Sequence, residues 1–230
     1  MDTANRLPRS IRGWICVSIS EPFPTDRILR RIKGMLLVAC LLPLARLIEG
    51  FFAGSLGANP VEAVLRGLGE WALIFLLLTL TVTPLRRLTG QHWLIRLRRM
   101  LGLLAFFYAA LHVLAYLWAE HFFDWLAIGR DLIERPFITV GALAFALLVP
   151  LAVTSHNAMI RRLGGRRWQA LHRLVYGIAV AAVVHYWWMV KLDITWPALY
   201  GAVLAVLLGV RLVWRLGSRP GALVMRRRMP

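Results

Sequence analysis

Acidic residues are scarce in this chain: 11 Asp and Glu stand against 28 Lys and Arg among 230 residues. Cysteine is nearly absent. Cys16 and Cys40 are the whole complement, which excludes a disulfide framework and a CxxC redox or zinc site. No GxGxxG, P-loop or HExxH occurs, so there is no mark of a soluble nicotinamide or flavin domain, a phosphate cradle or a zinc hydrolase. Charge of either sign is thin, at 17% of residues. Apolar side chains fill the space. They make up 59% of the chain, and mean hydropathy is +0.64, whereas soluble domains sit nearer about 45–50% apolar. An ordinary globular enzyme is thereby disfavoured, and one membrane domain is expected.

Six apolar runs stand out, at 34–52, 68–85, 100–119, 138–153, 170–190 and 196–214. At about 1.5 Å of rise per residue, ~20 helical residues cross a ~30 Å hydrocarbon core. The second and fourth runs are slightly short. Helices satisfy their own backbone groups in lipid, and the alternation of a membrane barrel is not seen. Basic residues cluster at alternate ends of these runs. Arg6, Arg9, Arg12, Arg27, Arg30, Arg31 and Lys33 precede the first run, and two further groups lie at Arg86–Arg99 and Arg161–Arg173. A fourth lies at the C-terminal end. On this division 23 of the basic residues fall on one side and 5 on the other. By the positive-inside rule both termini are cytoplasmic. The net charge of +17 is then an orientation signal rather than a nucleic-acid footprint. The expected fold class is an all-α membrane protein, a six-transmembrane-helix bundle. Residues 1–33 form a cytoplasmic extension of no set fold, 34–215 the membrane domain and 216–230 a basic cytoplasmic tail. Cys40 is expected to be packed within its apolar run.

Ionisable groups inside a membrane cost free energy and are candidates for function. Of six histidines, His92 and His156 fall in cytoplasmic loops and His121 at an outer boundary, where a solvated or interfacial role suffices. His112 lies about 18 Å into the third run, and His185 about 22 Å into the fifth, measured from the same face at 1.5 Å per residue. Two imidazoles at matching depth could ligate one haem iron from opposite sides, the b-type arrangement. They could equally be unrelated histidines bonded to neighbouring helices. Phe106, Phe107, Tyr108, Tyr116, Trp118, Tyr176, Tyr186, Trp187 and Trp188 surround them in sequence and would suit a porphyrin pocket or an ordinary membrane core and interfacial belt.

His172 stands near the cytoplasmic face, about 20 Å from His185 along a helix axis. That spacing suits two haems stacked across a bilayer. Thirteen helical steps leave about 140° between the two side chains, however, so a kink or π-bulge is needed to bring both to one face. His172 is a ligand, a propionate contact or an interfacial histidine. Where a second ligand on the third run would stand there is Arg98, whose charge could hold a haem propionate.

Several stretches carry a resemblance. They are Asn59-Pro60-Val61-Glu62, Thr79-Leu80-Thr81-Val82-Thr83-Pro84-Leu85-Arg86-Arg87, Arg98-Arg99-Met100-Leu101-Gly102-Leu103, Phe107-Tyr108-Ala109-Ala110-Leu111-His112, and Arg167-Trp168-Gln169-Ala170-Leu171-His172-Arg173-Leu174-Val175-Tyr176. In order and spacing, over residues 30 to 215, they resemble the MsrQ (YedZ) family, within the superfamily of ferric-reductase-like transmembrane domains. The resemblance implies a haem b membrane subunit of the bacterial inner membrane with one or two haems. It takes electrons from the quinone pool or a cytoplasmic flavin reductase. It passes them to MsrP, a periplasmic molybdopterin enzyme that reduces methionine sulfoxide in oxidised proteins. The family is also described as a flavoprotein carrying FMN. Its histidines map onto His112, His172 and His185. The superfamily places two histidines on each of two helices, and this chain departs from that at Arg98. The alternatives are a stand-alone ferric or oxygen reductase, which would need an electron-input domain that these 230 residues do not hold, and a haem-free transporter.

Overall fold

A computed structural model describes residues 26–190 and 193–217, and everything they contain is helix, turn or short connection. The helices are α1 (Asp26–Phe52), α2 (Pro60–Thr89), α3 (Ile95–Ala115), α4 (Trp125–Glu134), α5 (Pro136–Val153), α6 (Asn157–Leu163), α7 (Gly165–His172), α8 (Leu174–Met189) and α9 (Thr195–Gly217). A 3₁₀ turn, His92–Leu94, leads into α3, and a π-helical segment, Tyr116–Glu120, continues it. Residues 1–25 and 218–230, which hold Cys16, most of the expected extension and nearly all of the expected tail, lie outside the described residues.

The helix ends follow from local chemistry. Asn59 accepts the backbone N–H of Glu62 at 3.2 Å and donates its amide to the Glu62 carboxylate at 3.2 Å, a reciprocal cap on α2. Pro60 at the first helical position loses no hydrogen bond there. Gly90, at φ 74°, ends α2 in the left-handed conformation that a Cβ disfavours. Asp124 accepts the N–H groups of Leu126 and Ala127 to start α4.

Five helices are long and apolar enough to cross a membrane: α1, α2, α3 with its continuation to Glu120, α5 and α9. The expected second span is lengthened to the 30 residues of α2. The expected first span starts earlier, because Asp26–Lys33 is helical and continuous with it. The expected fifth span, 170–190, is broken at Arg173 into α7 and α8. The 16 residues of α8 reach roughly 24 Å, a little short of a full crossing. Large apolar side chains such as Val38, Val206 and Val213 are at least 64% exposed. That is a liability in water and the natural face toward lipid.

Within the bundle α2 packs closely on α3, and α5 on α8. α3 also meets α5, while α9 lies against α8 and α2, and α1 against α2. α3 and α8 are not a closely packed pair, so the space between them is left for side chains. The most buried layer contains Phe75, Leu80, Tyr108, Ile178 and Ala179. In lipid there is little hydrophobic drive between helices, so close packing and interhelical hydrogen bonds, each worth about 1 kcal/mol, hold the assembly. Tyr108 donates to the Cys40 carbonyl of α1 at 2.7 Å. Tyr200 of α9 donates to Glu70 of α2 at 2.7 Å. Arg211 of α9 donates to the Leu80 carbonyl of α2.

Candidate functional site

His112 projects from α3 and His185 from α8, the two helices that stand apart. Their rings nonetheless face each other, with centroids 6.2 Å apart and planes 79° to one another. Each is tied to the helix behind it. His112 Nδ1 donates to the Leu65 carbonyl of α2 at 2.9 Å, and His185 Nδ1 donates to the Phe137 carbonyl of α5 at 2.6 Å. A carbonyl only accepts, so Nδ1 carries the proton in both rings. Nε2 is left with the lone pair that a metal uses. Such a bond from the distal ring nitrogen is the usual support for a metal-ligating histidine.

The separation can be tested against the expected group. Metal–nitrogen bonds of about 2.0 Å, with about 1.1 Å more from each nitrogen to its ring centre, hold a trans pair of imidazoles about 6 Å apart. The observed spacing fits one metal between the rings. An edge-to-face ring pair can have the same spacing, so the ring-nitrogen roles, and not the distance alone, carry the metal reading. Two imidazoles suit a metal that arrives with further ligands of its own, as in a porphyrin; among the described residues no three His, Cys, Asp or Glu side chains converge on a metal position.

The second assembly lies toward the other end of the same helices. A cleft of about 490 Å³ opens between α3, α5, α7 and α8, lined by Arg98, Arg99, Phe106, Trp168, His172, Arg173, Tyr176 and Arg215 among others. None of its lining residues is acidic. His172 Nδ1 donates to the Trp168 carbonyl at 3.0 Å, and its ring stacks on the Trp168 indole at 3.9 Å. The indole is anchored in turn by its N–H to the Thr154 carbonyl at 2.9 Å. His172 Nε2 is buried with no hydrogen-bond partner. A polar atom in that state costs free energy unless something binds it. The chemistry of the cleft therefore suits a planar ligand with acidic substituents: an aromatic wall, a bare nitrogen and several guanidinium groups.

The structure thus brings His112 and His185 together, and it brings His172 and Arg98 together in a separate cleft. The helix is interrupted between His172 and His185 at Arg173, a residue that keeps right-handed helical dihedrals (φ −70°, ψ −20°). His92 and His156 are exposed, as loop histidines should be. Cys40 is buried at 7%. Of the aromatic residues, Phe106 and Tyr176 line the cleft, and Tyr108 is buried against Phe75. Phe107, Trp118, Trp187 and Trp188 are at least 40% exposed, a belt rather than a pocket.

Sequence reasoning misses three things. Trp168 stands within a family motif, but nothing in the sequence marks it as the backing of His172. The backbone carbonyls of Leu65 and Phe137 have no side-chain signature at all. His121, expected to be solvated or interfacial, instead approaches the Asp131 carboxylate at 3.1 Å with its side chain 15% exposed. Asp131 also takes Tyr116 at 3.2 Å and Arg135 at 3.3 Å.

Comparisons with known proteins agree on one family. The sequence model for the ferric reductase like transmembrane component matches residues 68–183, a segment that contains His112 and His172 and ends just before His185. The haem-binding subunit MsrQ of the protein-methionine-sulfoxide reductase of Azospira oryzae is 57% identical over 84% of this chain and 83% of its own length. The MsrQ subunit of Herminiimonas arsenicoxydans is 55% identical over 83% of this chain and 88% of its own. That of Ralstonia nicotianae is 52% identical over 85% and 91%.

Proposed function

As a member of the MsrQ family of haem-binding subunits of protein-methionine-sulfoxide reductases, this chain, we propose, is a b-type cytochrome that carries electrons across the bacterial inner membrane. The observation that carries the proposal is the His112–His185 pair: 6.2 Å between ring centres, with each Nδ1 held by a backbone carbonyl of a different helix. These two residues would hold the haem iron through Nε2. A haem held there by the two histidines would supply one-electron transfer. The protein's own work is to fix the ring planes, to keep water from the metal with the surrounding helices, and to set how strongly each imidazole donates.

The inner cleft is the entry side. His172 offers its buried Nε2 and Arg98 its guanidinium to a second cofactor, which would be a second haem or the FMN implied by the family. In this reading the chain crosses six times, with α7 and α8 together making the fifth, so both termini, 1–33 and 216–230, share one side, which the positive-inside division makes the cytoplasm. The cleft then faces the quinone pool or a cytoplasmic flavin reductase, and the His112–His185 site faces the periplasm. The acceptor there is MsrP, a molybdopterin subunit that repairs oxidised periplasmic proteins. Support for this direction comes from the basic residues around the cleft and the positive-inside division of the sequence.

The experiment is a reduced-minus-oxidised spectrum of protein purified in detergent. Wild-type protein should show a low-spin haem b signal, and His112→Ala or His185→Ala should remove the outer component. A spectrum unchanged in both variants refutes the assignment. A colourless wild-type preparation would return the transporter reading.

A further inference from the structure

The two histidines are supported by the same construction used twice. On α2, the carbonyl that accepts from His112 belongs to Leu65, and one helical turn later comes Gly69. On α5, the carbonyl that accepts from His185 belongs to Phe137, and one turn later comes Gly141. Both glycines stand against the Nδ1–Cε1 edge of the ring. A Cβ on Gly69 would stand 3.0 Å from Cε1 and 3.0 Å from Nδ1 of His112. A Cβ on Gly141 would stand 2.8 Å from the same two atoms of His185 and 3.2 Å from Cγ. Other glycines of the spans differ. Gly177 and Gly209 have nothing within 4 Å, and Gly67 is crowded only by the flexible end of Leu47.

We propose that Gly69 and Gly141 are paired positioning residues: each lets a helix backbone press against its histidine ring, and together they hold the two rings nearly perpendicular. The inference rests on the reading of His112 and His185 as ligands of one haem. Its physical basis is steric. The carbonyl fixes the Nδ1 edge of each ring, and the bare Cα lets that same Nδ1–Cε1 edge come close to the helix. A methyl group at either position cannot be relieved by the helix backbone, so the imidazole must rotate or tilt. The hydrogen bond from Nδ1 then lengthens, and the donor strength of Nε2 changes with it. The angle between the planes, 79° here, also changes. For low-spin ferric iron, crossed imidazole planes leave two d orbitals close in energy and give an EPR signal with one large g value. Planes turned toward parallel separate those orbitals and lower that value. Hydrogen bonds to the ligand rings and the orientation of those rings are among the means by which a protein sets a haem potential.

The test is low-temperature EPR and potentiometric titration of purified holoprotein, comparing Gly69→Ala and Gly141→Ala with Gly177→Ala and Gly209→Ala. The expected result is a displaced low-spin g maximum and a displaced midpoint potential in the first pair, with wild-type values in the second. If Gly69→Ala and Gly141→Ala keep the wild-type g values and potential, the cradle is wrong. The haem assignment stands apart from that outcome, because it is lost only if His112→Ala and His185→Ala keep the signal. Should an alanine variant fail to accumulate, wild-type protein decides. A single large g value supports crossed rings held as described, and a rhombic spectrum of parallel imidazoles overturns the proposal.

Discussion

At the scale of single residues, the informative atoms are ring nitrogens. In His112, His172 and His185 alike, Nδ1 is bonded to a backbone carbonyl, which leaves the lone pair on Nε2. The three differ in what faces that nitrogen. His112 and His185 face each other, whereas His172 faces a cleft walled by Arg98, Arg99 and Arg215. His172→Ala is therefore expected to change only some of the haem or flavin content. Pyridine haemochrome and flavin fluorescence per mole of protein measure this, and complete loss of haem would show that the sites are not separate. As candidates, His112 and His185 are legible in the sequence, because an imidazole about 20 Å into an apolar run has few reasons to be there. Their partners are not. Leu65 and Phe137 act through the main chain, which every residue possesses, and Gly69 and Gly141 act through an atom they lack. His121 escapes a sequence reading for a related reason: its carboxylate partner, Asp131, comes from a helix that folds back beneath it.

At the scale of helices, run lengths give the order of the elements correctly and their ends poorly. Apolar content does not mark where a helix stops. Caps and proline do, and Asn59-Pro60 with Gly90 extends α2 well beyond its apolar run. The break at Arg173 has no proline or glycine at that position to announce it. α1 is a different case. It is held to the bundle mainly through α2 and by two long-range hydrogen bonds, one from buried Tyr108 to the Cys40 carbonyl and one from exposed Arg96 to Asp26. Pro43 lies within the next turn, where it removes one backbone donor and loosens the helix. Tyr108→Phe should therefore lower stability by about 1 kcal/mol without altering the haem spectrum. Thermal unfolding in detergent, followed by tryptophan fluorescence, checks this. An unchanged midpoint would mean that the bond is matched by one to solvent or lipid in the unfolded state.

At the scale of the whole molecule, the charge division and the site division run along the same axis. Arg98, Arg99, Arg173 and Arg215 belong both to the basic side of the sequence and to the cleft that would receive an acidic cofactor. The same cations would thus orient the chain and furnish a binding site. A cysteine replacing Gln91, before α3, should react with a membrane-impermeant maleimide only after the membrane is opened. One replacing Trp125, at the start of α4, should react in intact spheroplasts. The reverse pattern would invert the electron path.

In the reading proposed above, one iron is held by an imidazole from α3 and another from α8. Near-infrared magnetic circular dichroism of the oxidised protein reads axial ligands directly. Wild-type protein should give the charge-transfer band of bis-histidine ligation, and that band should weaken or vanish in His112→Ala and in His185→Ala. A wild-type band characteristic of another ligand pair, or one that survives both substitutions, would contradict the account.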